Sequence, residues 1–247
     1  FGTVDQMVGK LKATGGSGMD VVNVPSASTQ QLFKDGLIEP IDVSRLKNWG
    51  TIYPEFQSGN FISTGISGSV IGVPTLWGPE GLMYRTDKVK HQDSWSGLWD
   101  PEYKGRIATI DYGYEMVLVA AQVLGFTKSL HSNPISFTDL EYAAIKQKLI
   151  DQKPVIAKYW STAAEGGRLM AGGEIWMSLG RLSIMGTVRK EGLPFKMIAP
   201  KEGAQGWCTS SCIVKSSKNK DAAYELIDYL TGENYQKELA KSYPVGN

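Results

Sequence analysis

Hydrophobic and polar residues alternate along the chain in short segments of two kinds. Apolar runs closed by proline or glycine, such as MDVVNVP and SVIGVPTLWG, predict buried strands. Segments with apolar residues three to four positions apart, such as SASTQQLFKDG and FTDLEYAAIKQKLIDQK, predict amphipathic helices. This alternation of strands and helices predicts an α/β fold with a mainly parallel sheet.

Several element boundaries follow from the same pattern. Ser26 or Ser28 is predicted to cap the helix SASTQQLFKDG, because a hydroxyl at this point accepts from free backbone N–H groups. Ser161 or Thr162 is predicted to cap the helix TAAEGGRLMAGG in the same way. The segment GLMYRTDKV, which follows the glycine at position 78, is predicted to be a separate strand.

One arginine lies inside an apolar segment. The stretch GGEIWMSLGRLSIMG, residues 172–186, predicts buried strand and turn, with Arg181 between apolar or small residues. A guanidinium stays charged at neutral pH, so its burial is costly unless an anion or several acceptors meet it. The sequence therefore predicts an acidic or otherwise accepting partner for Arg181.

Composition and charge exclude several classes of protein. The 247 residues carry 26 Lys and Arg against 25 Asp and Glu, a formal net charge of +1. Sequence-independent nucleic-acid binding needs a concentrated positive surface, and no basic run exceeds two residues, so no nucleic-acid partner is expected. No apolar stretch approaches the length that crosses a bilayer. Cys208 and Cys212 are predicted to be unpaired and buried.

The sequence pattern offers no catalytic or metal-binding constellation. His91 and His131 lie in polar segments without a paired nucleophile or an orienting carboxylate. The two histidines and two cysteines also lack the spacing of a metal site. GPEG and GGSG lack the context of a phosphate-binding loop. We therefore expect no enzyme activity, no metal and no cofactor.

Eight segments, taken in order, resemble one family. The resemblance is to the extracytoplasmic solute-binding proteins of bacterial ABC importers, in the spermidine/putrescine-binding branch, and it covers essentially the whole chain. The most specific pieces are LWDPEYKGRIA, PKEGAQGW and KNKDAAYELIDYL. The segments are GMDVVNVPS, LFKDGLIEPID, IGVPTLWGPEGLMYRTDKV, SWSGLWDPEYKGRIATID, LMAGGEI, PKEGAQGW, SKNKDAAYELIDYLTGEN and YPVGN.

The resemblance implies a type II periplasmic-binding-protein fold, with two α/β lobes joined by crossing strands, a ligand cleft between them and hinge closure. One discontinuous lobe would comprise residues 1–76 plus 207–247, and the second lobe 77–206. Family members usually carry a further strand and helix before this stretch and helices after it, so we expect the discontinuous lobe to be incomplete. The chain starts without a basic, then apolar, leader. We expect a periplasmic or extracytoplasmic monomer, its signal peptide already absent, that binds an ABC permease.

The resemblance also implies ligand-binding residues. Trp207 matches a cleft aromatic that stacks on the ligand, and Glu115 matches a carboxylate that binds an amine. Tyr243 matches a cleft tyrosine, and Ser26 matches a polar residue at the start of a helix. The alternatives are a core role for Trp207, a first-turn helix acid for Glu115 and a turn residue for Tyr243. Trp160 is a further candidate, either as a wall of the ligand site or as a core residue.

The chain departs from the polyamine-binding pattern at several positions. A second carboxylate of the family falls on Tyr112, although Asp111 is adjacent. The aspartate expected two residues after the cleft tryptophan is replaced by Thr209. In an alignment without gaps, Arg181 occupies the position at which the family has another stacking tryptophan. A guanidinium at that point would repel a diamine and attract a carboxylate, sulfonate or phosphonate.

Two interpretations of Arg181 stay open. In one, Arg181 binds the acid group of a zwitterion such as an ω-amino acid, and Glu115 binds its amine. In the other, Arg181 is structural and pairs with Asp111 or Glu174. The predicted function is the ligand-binding component of an ABC importer that takes a small amine-bearing solute. The alternatives are a zwitterionic or anionic ligand and, more remotely, a transferase on the same fold.

Overall fold

The computed structural model describes residues 4–58, 63–65, 68–132 and 135–242. The chain divides into two compact units: a discontinuous unit, Phe1–Gly78 with Trp207–Asn247, and a central unit, Pro79–Gly206. Both mix helices and strands. In the part of the chain that the structure describes, no helix is both long and apolar enough to span a bilayer.

The discontinuous unit is built around an antiparallel strand pair. Strand β1 (Val21–Pro25) pairs with the end of β8 (Gln205–Ile213), from Val21 opposite Ile213 to Pro25 opposite Thr209. One apolar cluster includes Leu11, Leu32 and Cys212, all nearly inaccessible to solvent. The described elements of this unit are α1 (Val4–Thr14), β1 (Val21–Pro25), α2 (Ser26–Lys34), α3 (Pro54–Gln57), β2 (Ser63–Thr64), the first part of β3 (Val70–Arg85), the last part of β8 (Gln205–Ile213), α9 (Lys220–Thr231) and α10 (Glu233–Ser242).

The central unit is a sheet covered by helices. The second part of β3 pairs antiparallel with β6 (Met177–Arg181) and β7 (Phe195–Ile198). Strand β4 (Ile107–Ile110) lies parallel to both β5 (Ile156–Trp160) and β6. Its apolar core includes Leu82, Trp160 and Leu179. The remaining elements are β4 (Ile107–Ile110), α4 (Gly113–Val123), α5 (Thr127–Leu130), α6 (Asp139–Gln152), β5 (Ile156–Trp160), α7 (Ala163–Ala171), β6 (Met177–Arg181), α8 (Leu182–Lys190) and β7 (Phe195–Ile198).

Two predictions about strands are wrong. The sheet is mixed and not mainly parallel, because the long strand β3 takes antiparallel neighbours in β2, β6 and β7. The position of Gly78 also does not end a strand, since β3 runs unbroken from Val70 to Arg85. A Cβ at Gly78 would lie 2.7 Å from Cζ2 of Trp207, so close packing and not a turn requires glycine here.

Two predictions about helix starts also need correction, and a third is confirmed. Helix α2 has no side-chain cap, because Pro25 occupies the capping position and Ser26 is already helical. The segment 172–186 ends in helix and not in turn, since α8 begins at Leu182 directly after β6. Thr162 caps α7 as predicted, its hydroxyl accepting from the backbone N–H three residues later.

Candidate functional site

Arg181 and Glu80 form a cross-strand ion pair. The register of β3 and β6 places the two residues directly opposite each other at the end of the ladder. Nε of Arg181 lies 2.6 Å from Oε1 of Glu80, whose side chain is 1% exposed. Strand pairing therefore fixes both partners, and the guanidinium compensates a carboxylate that burial would otherwise strongly disfavour.

Glu115 is the second carboxylate that Arg181 contacts. It lies in the first turn of α4, where the helix dipole favours an acidic side chain. Nη2 of Arg181 lies 2.9 Å from Oε1 of Glu115. The other oxygen, Oε2, is buried and has no hydrogen-bond partner among the described residues. We call Glu80, Arg181 and Glu115 the carboxylate cluster.

Trp160 forms one wall beside this cluster. It is the last residue of β5 and is fully buried, and its indole N–H donates to Oγ of Ser178 at 3.2 Å. The guanidinium carbon of Arg181 lies 5.7 Å from the centre of the indole ring, within cation–π range. Of the two roles predicted for Trp160, this burial agrees with the core role, and its ring also contacts the arginine.

Burial raises the pKa of both carboxyl groups of the cluster. Burial raises the pKa of Glu80, and the Arg181 charge opposes that shift. Burial, with the negative charge of Glu80, raises the pKa of Glu115 to about 7. With both carboxylates ionised, the guanidinium balances one of the two negative charges and the cluster carries a net charge of −1. Its chemistry is that of an acceptor for a positively charged donor.

Gln205 adds a neutral acceptor to the surroundings of Glu115. Its Nε2 donates to the backbone carbonyl of Glu115 at 3.3 Å and to Oε1 of Gln122 at 3.1 Å. Its own Oε1 is buried and lacks a hydrogen-bond partner within the described ranges. The Gln205 side chain is therefore held at the backbone of Glu115, and its Oε1 is a second buried acceptor in the same region, in addition to Oε2 of Glu115.

The sequence analysis missed Glu80 and Gln205. Both stand alone among small or apolar neighbours, Glu80 in WGPEGLM and Gln205 in EGAQGWC. An isolated acidic side chain inside an apolar strand was the available signal for Glu80, because such a group needs a buried partner. No local pattern distinguishes Gln205 from a surface glutamine.

If Arg181 is structural, its partner predicted from the sequence is Asp111 or Glu174. Arg181 forms its salt bridges with Glu80 and Glu115 instead of with Asp111 or Glu174. Asp111 is exposed just after β4, and its backbone N–H donates to the Trp160 carbonyl at 2.8 Å.

The other predicted site residues fall in different places. Tyr112 is the residue before α4 and packs, partly buried, against the core. Tyr243 lies outside the described residues.

Three predicted ligand-binding residues lie together in the discontinuous unit. The hydroxyl of Ser26 lies 2.8 Å from that of Ser210 and donates to the Cys208 carbonyl at 3.2 Å. Thr209 pairs with Pro25 across the β1–β8 ladder. The Trp207 ring packs on Gly78. This region offers hydroxyl and aromatic groups, and the ligand-binding role of these residues stays a prediction.

The two cysteines are free thiols, and both are buried, as predicted. Burial raises the pKa of Cys208 to about 11 and that of Cys212 to about 12, so both are poor nucleophiles and poor metal ligands at neutral pH. Across residues 4–58, 63–65, 68–132 and 135–242, no cluster of three or more His, Cys, Asp and Glu residues is placed to hold a metal ion.

Comparison with known proteins identifies the family. The model of the family described as bacterial extracellular solute-binding protein matches residues 2–247. The spermidine/putrescine-binding periplasmic protein of Salmonella typhimurium is 28% identical over 247 residues, covering 98% of this chain and 68% of that protein. The putrescine/agmatine-binding protein of Pseudomonas aeruginosa is 26% identical over 267 residues, covering 100% of this chain and 70% of that protein.

A solved structure gives the fold. The TpPotD lipoprotein of Treponema pallidum superposes with a TM-score of 0.84 at 20% identity, covering 98% of this chain and 74% of that one. This likeness confirms the predicted two-lobe α/β class of fold, and the family match confirms the predicted resemblance. The chain belongs to the bacterial extracellular solute-binding proteins.

Proposed function

We propose that this protein captures a small amine-bearing solute outside the cytoplasm and delivers it to the permease of an ABC importer. One observation carries the proposal: Oε2 of Glu115 is buried and has no hydrogen-bond partner among the described residues, within a cluster of two acidic side chains and one guanidinium. Relatives that match nearly the whole chain are named for spermidine, putrescine and agmatine, which are all amines.

The energetics favour an ammonium group over a neutral donor. Leaving a buried acceptor unsatisfied costs about 1–3 kcal/mol, and more when the acceptor is charged. An ammonium supplies up to three donors and the positive charge that the cluster lacks. Its binding to Glu115 therefore removes an existing cost and adds a charge-assisted hydrogen bond.

A zwitterionic ligand is the second candidate, because the Arg181 side chain keeps 24% of its surface exposed. Its Nε and Nη2 are already used by Glu80 and Glu115, so an anion approaching the guanidinium also meets two carboxylates. This arrangement favours the amine over the acid as the recognised group. We further propose that the protein acts as a monomer and as a binding protein without catalytic activity.

A ligand panel tests the proposal. We expect putrescine, 4-aminobutan-1-ol and γ-aminobutyrate to raise the melting temperature and to bind in titration calorimetry, whereas glutarate does neither. Glu115→Gln should abolish amine binding, while Glu191→Gln, at an exposed acid, leaves it unchanged. Stabilisation by glutarate but by none of the amines would contradict the proposal, as would full amine binding by Glu115→Gln.

A further inference from the structure

We propose that the carboxylate cluster accepts a single ammonium group and that Arg181 is the specificity-determining residue. Its guanidinium supplies the positive charge that a second ammonium group of the ligand would otherwise supply. The proposal rests on the proposed amine-binding function and makes it narrower. The inference is that the cluster prefers an amine with one positive charge to a diamine with the same carbon chain.

The first step is the charge of the cluster. Glu80 and Glu115 bring two negative charges, and Arg181 lies 2.6 Å from one and 2.9 Å from the other. A guanidinium is not deprotonated in proteins, so its charge is permanent. One further positive charge makes the cluster neutral, and a second one would be in excess.

The second step is the supply of acceptors. Arg181 already occupies Oε1 of Glu80 and Oε1 of Glu115. Two buried acceptors without partners remain among the described residues of this region, Oε2 of Glu115 and Oε1 of Gln205. The Gln205 amide is held against the backbone of Glu115, so both oxygens belong to the surroundings of one residue. This set suits one ammonium group.

The third step concerns a second ammonium on the same ligand. Asp111 is the nearest acid in sequence to Glu115, and it is exposed. Among the described residues the buried acids are Glu80 and Glu115, so a second ammonium finds no further buried carboxylate there, and the fixed charge of Arg181 repels it.

The test compares 4-aminobutan-1-ol with putrescine, which have the same carbon chain and differ in one terminal group. By titration calorimetry at pH 8, we expect the wild type to bind the aminoalcohol at least as tightly as the diamine. Arg181→Met removes the fixed positive charge that repels a second ammonium, so putrescine should now bind about tenfold or more tightly than the aminoalcohol. Arg189→Met, which removes an exposed arginine of α8, is the matched control and should keep the wild-type preference.

Two variants keep the test decisive if Arg181→Met does not fold. The double variant Glu80→Gln with Arg181→Met restores a cluster charge of −1 without the ion pair, and should bind the aminoalcohol with the wild-type preference. Glu80→Gln alone brings the cluster to zero charge, and should weaken both amines about tenfold or more.

The outcomes separate this inference from the function on which it rests. If neither amine binds the wild type, the proposed function fails, and the inference fails with it. If the wild type binds putrescine more tightly than the aminoalcohol, the inference alone is overturned. Loss of that putrescine binding in Asp111→Asn would then identify Asp111 as the second carboxylate. An unchanged preference in Arg181→Met would also overturn the inference.

Discussion

Glu115→Gln should separate ligand binding from stability, because the carboxylate that we propose as the amine ligand also destabilises the ligand-free fold. The pKa of Glu115 is about 7 in the folded protein, against an ordinary value of 4.5. Between these two values the folded protein binds a proton that the unfolded chain has lost. The free energy of unfolding of the wild type should therefore fall as the pH rises through this window.

The size of the effect follows from the same two pKa values. One pKa unit corresponds to about 1.4 kcal/mol, so ionising Glu115 in the folded protein costs about 3 kcal/mol above pH 7. A glutamine at position 115 keeps the shape and loses the titration. Glu80 is present in both proteins, so its own raised pKa contributes to both curves.

Urea unfolding of the two proteins without ligand, at several pH values from 4.5 to 8, measures the difference. We expect the stability of Glu115→Gln relative to the wild type to increase by about 3 kcal/mol over this range and to level off above pH 7. Glu191→Gln serves as the control for loss of an exposed acid. A stability difference that does not change with pH would refute the reasoning, because Glu115 would then titrate alike in both states.

Three further predictions concern other parts of the molecule. Gly78→Ala places a Cβ 2.7 Å from the Trp207 ring, so we expect the indole to move, and an unchanged near-ultraviolet circular dichroism spectrum would contradict this. Thr162→Ala removes the cap of α7 and should lower the free energy of unfolding by about 1 kcal/mol in urea titrations; no change would mean that the cap contributes nothing. Cys208 and Cys212 should react with an aromatic disulfide reagent far more slowly in the folded protein than in guanidinium, and equal rates would show that they are not buried.

Local signals in the sequence predicted the local parts of the site. Glu115 lies near the start of an apolar segment with helical pattern, shortly after the strand β4, and this position predicts an acid in the first turn of a helix. The Thr162 cap follows from the same kind of reasoning. The α/β class follows from the alternation of strands and helices along the chain, and this alternation can be recognised from the sequence without knowledge of tertiary contacts.

The partners of Arg181 depend on long-range pairing. Glu80 is 101 residues away in the sequence and reaches Arg181 through the register of β3 and β6. Periodicity reports which face of a strand is buried, but it does not report which strand lies beside it. From the sequence, Asp111 or Glu174 is predicted as the structural partner, whereas the fold brings Glu80 and Glu115 to the guanidinium of Arg181.

Helix α8 was missed for a different reason. Its buried residues Ile184, Met185 and Val188 have helical spacing, but the segment 172–186 contains only the first part of it. Within residues 172–186, the apolar residues at the start of α8 come directly after those of β6 and form one largely apolar segment with them. Short apolar runs do not distinguish strand from buried helix.

The position of Trp160 gives the protein an internal optical probe. Its indole is shielded from solvent, and the Arg181 guanidinium lies 5.7 Å from the ring centre, so the excited state experiences the local electric field of the cluster. The proposed binding of an ammonium at Glu115 would change that field without a change in the solvent exposure of the indole. Replacing the other six of the seven tryptophans by phenylalanine would leave a single emitter whose fluorescence wavelength reports occupancy directly.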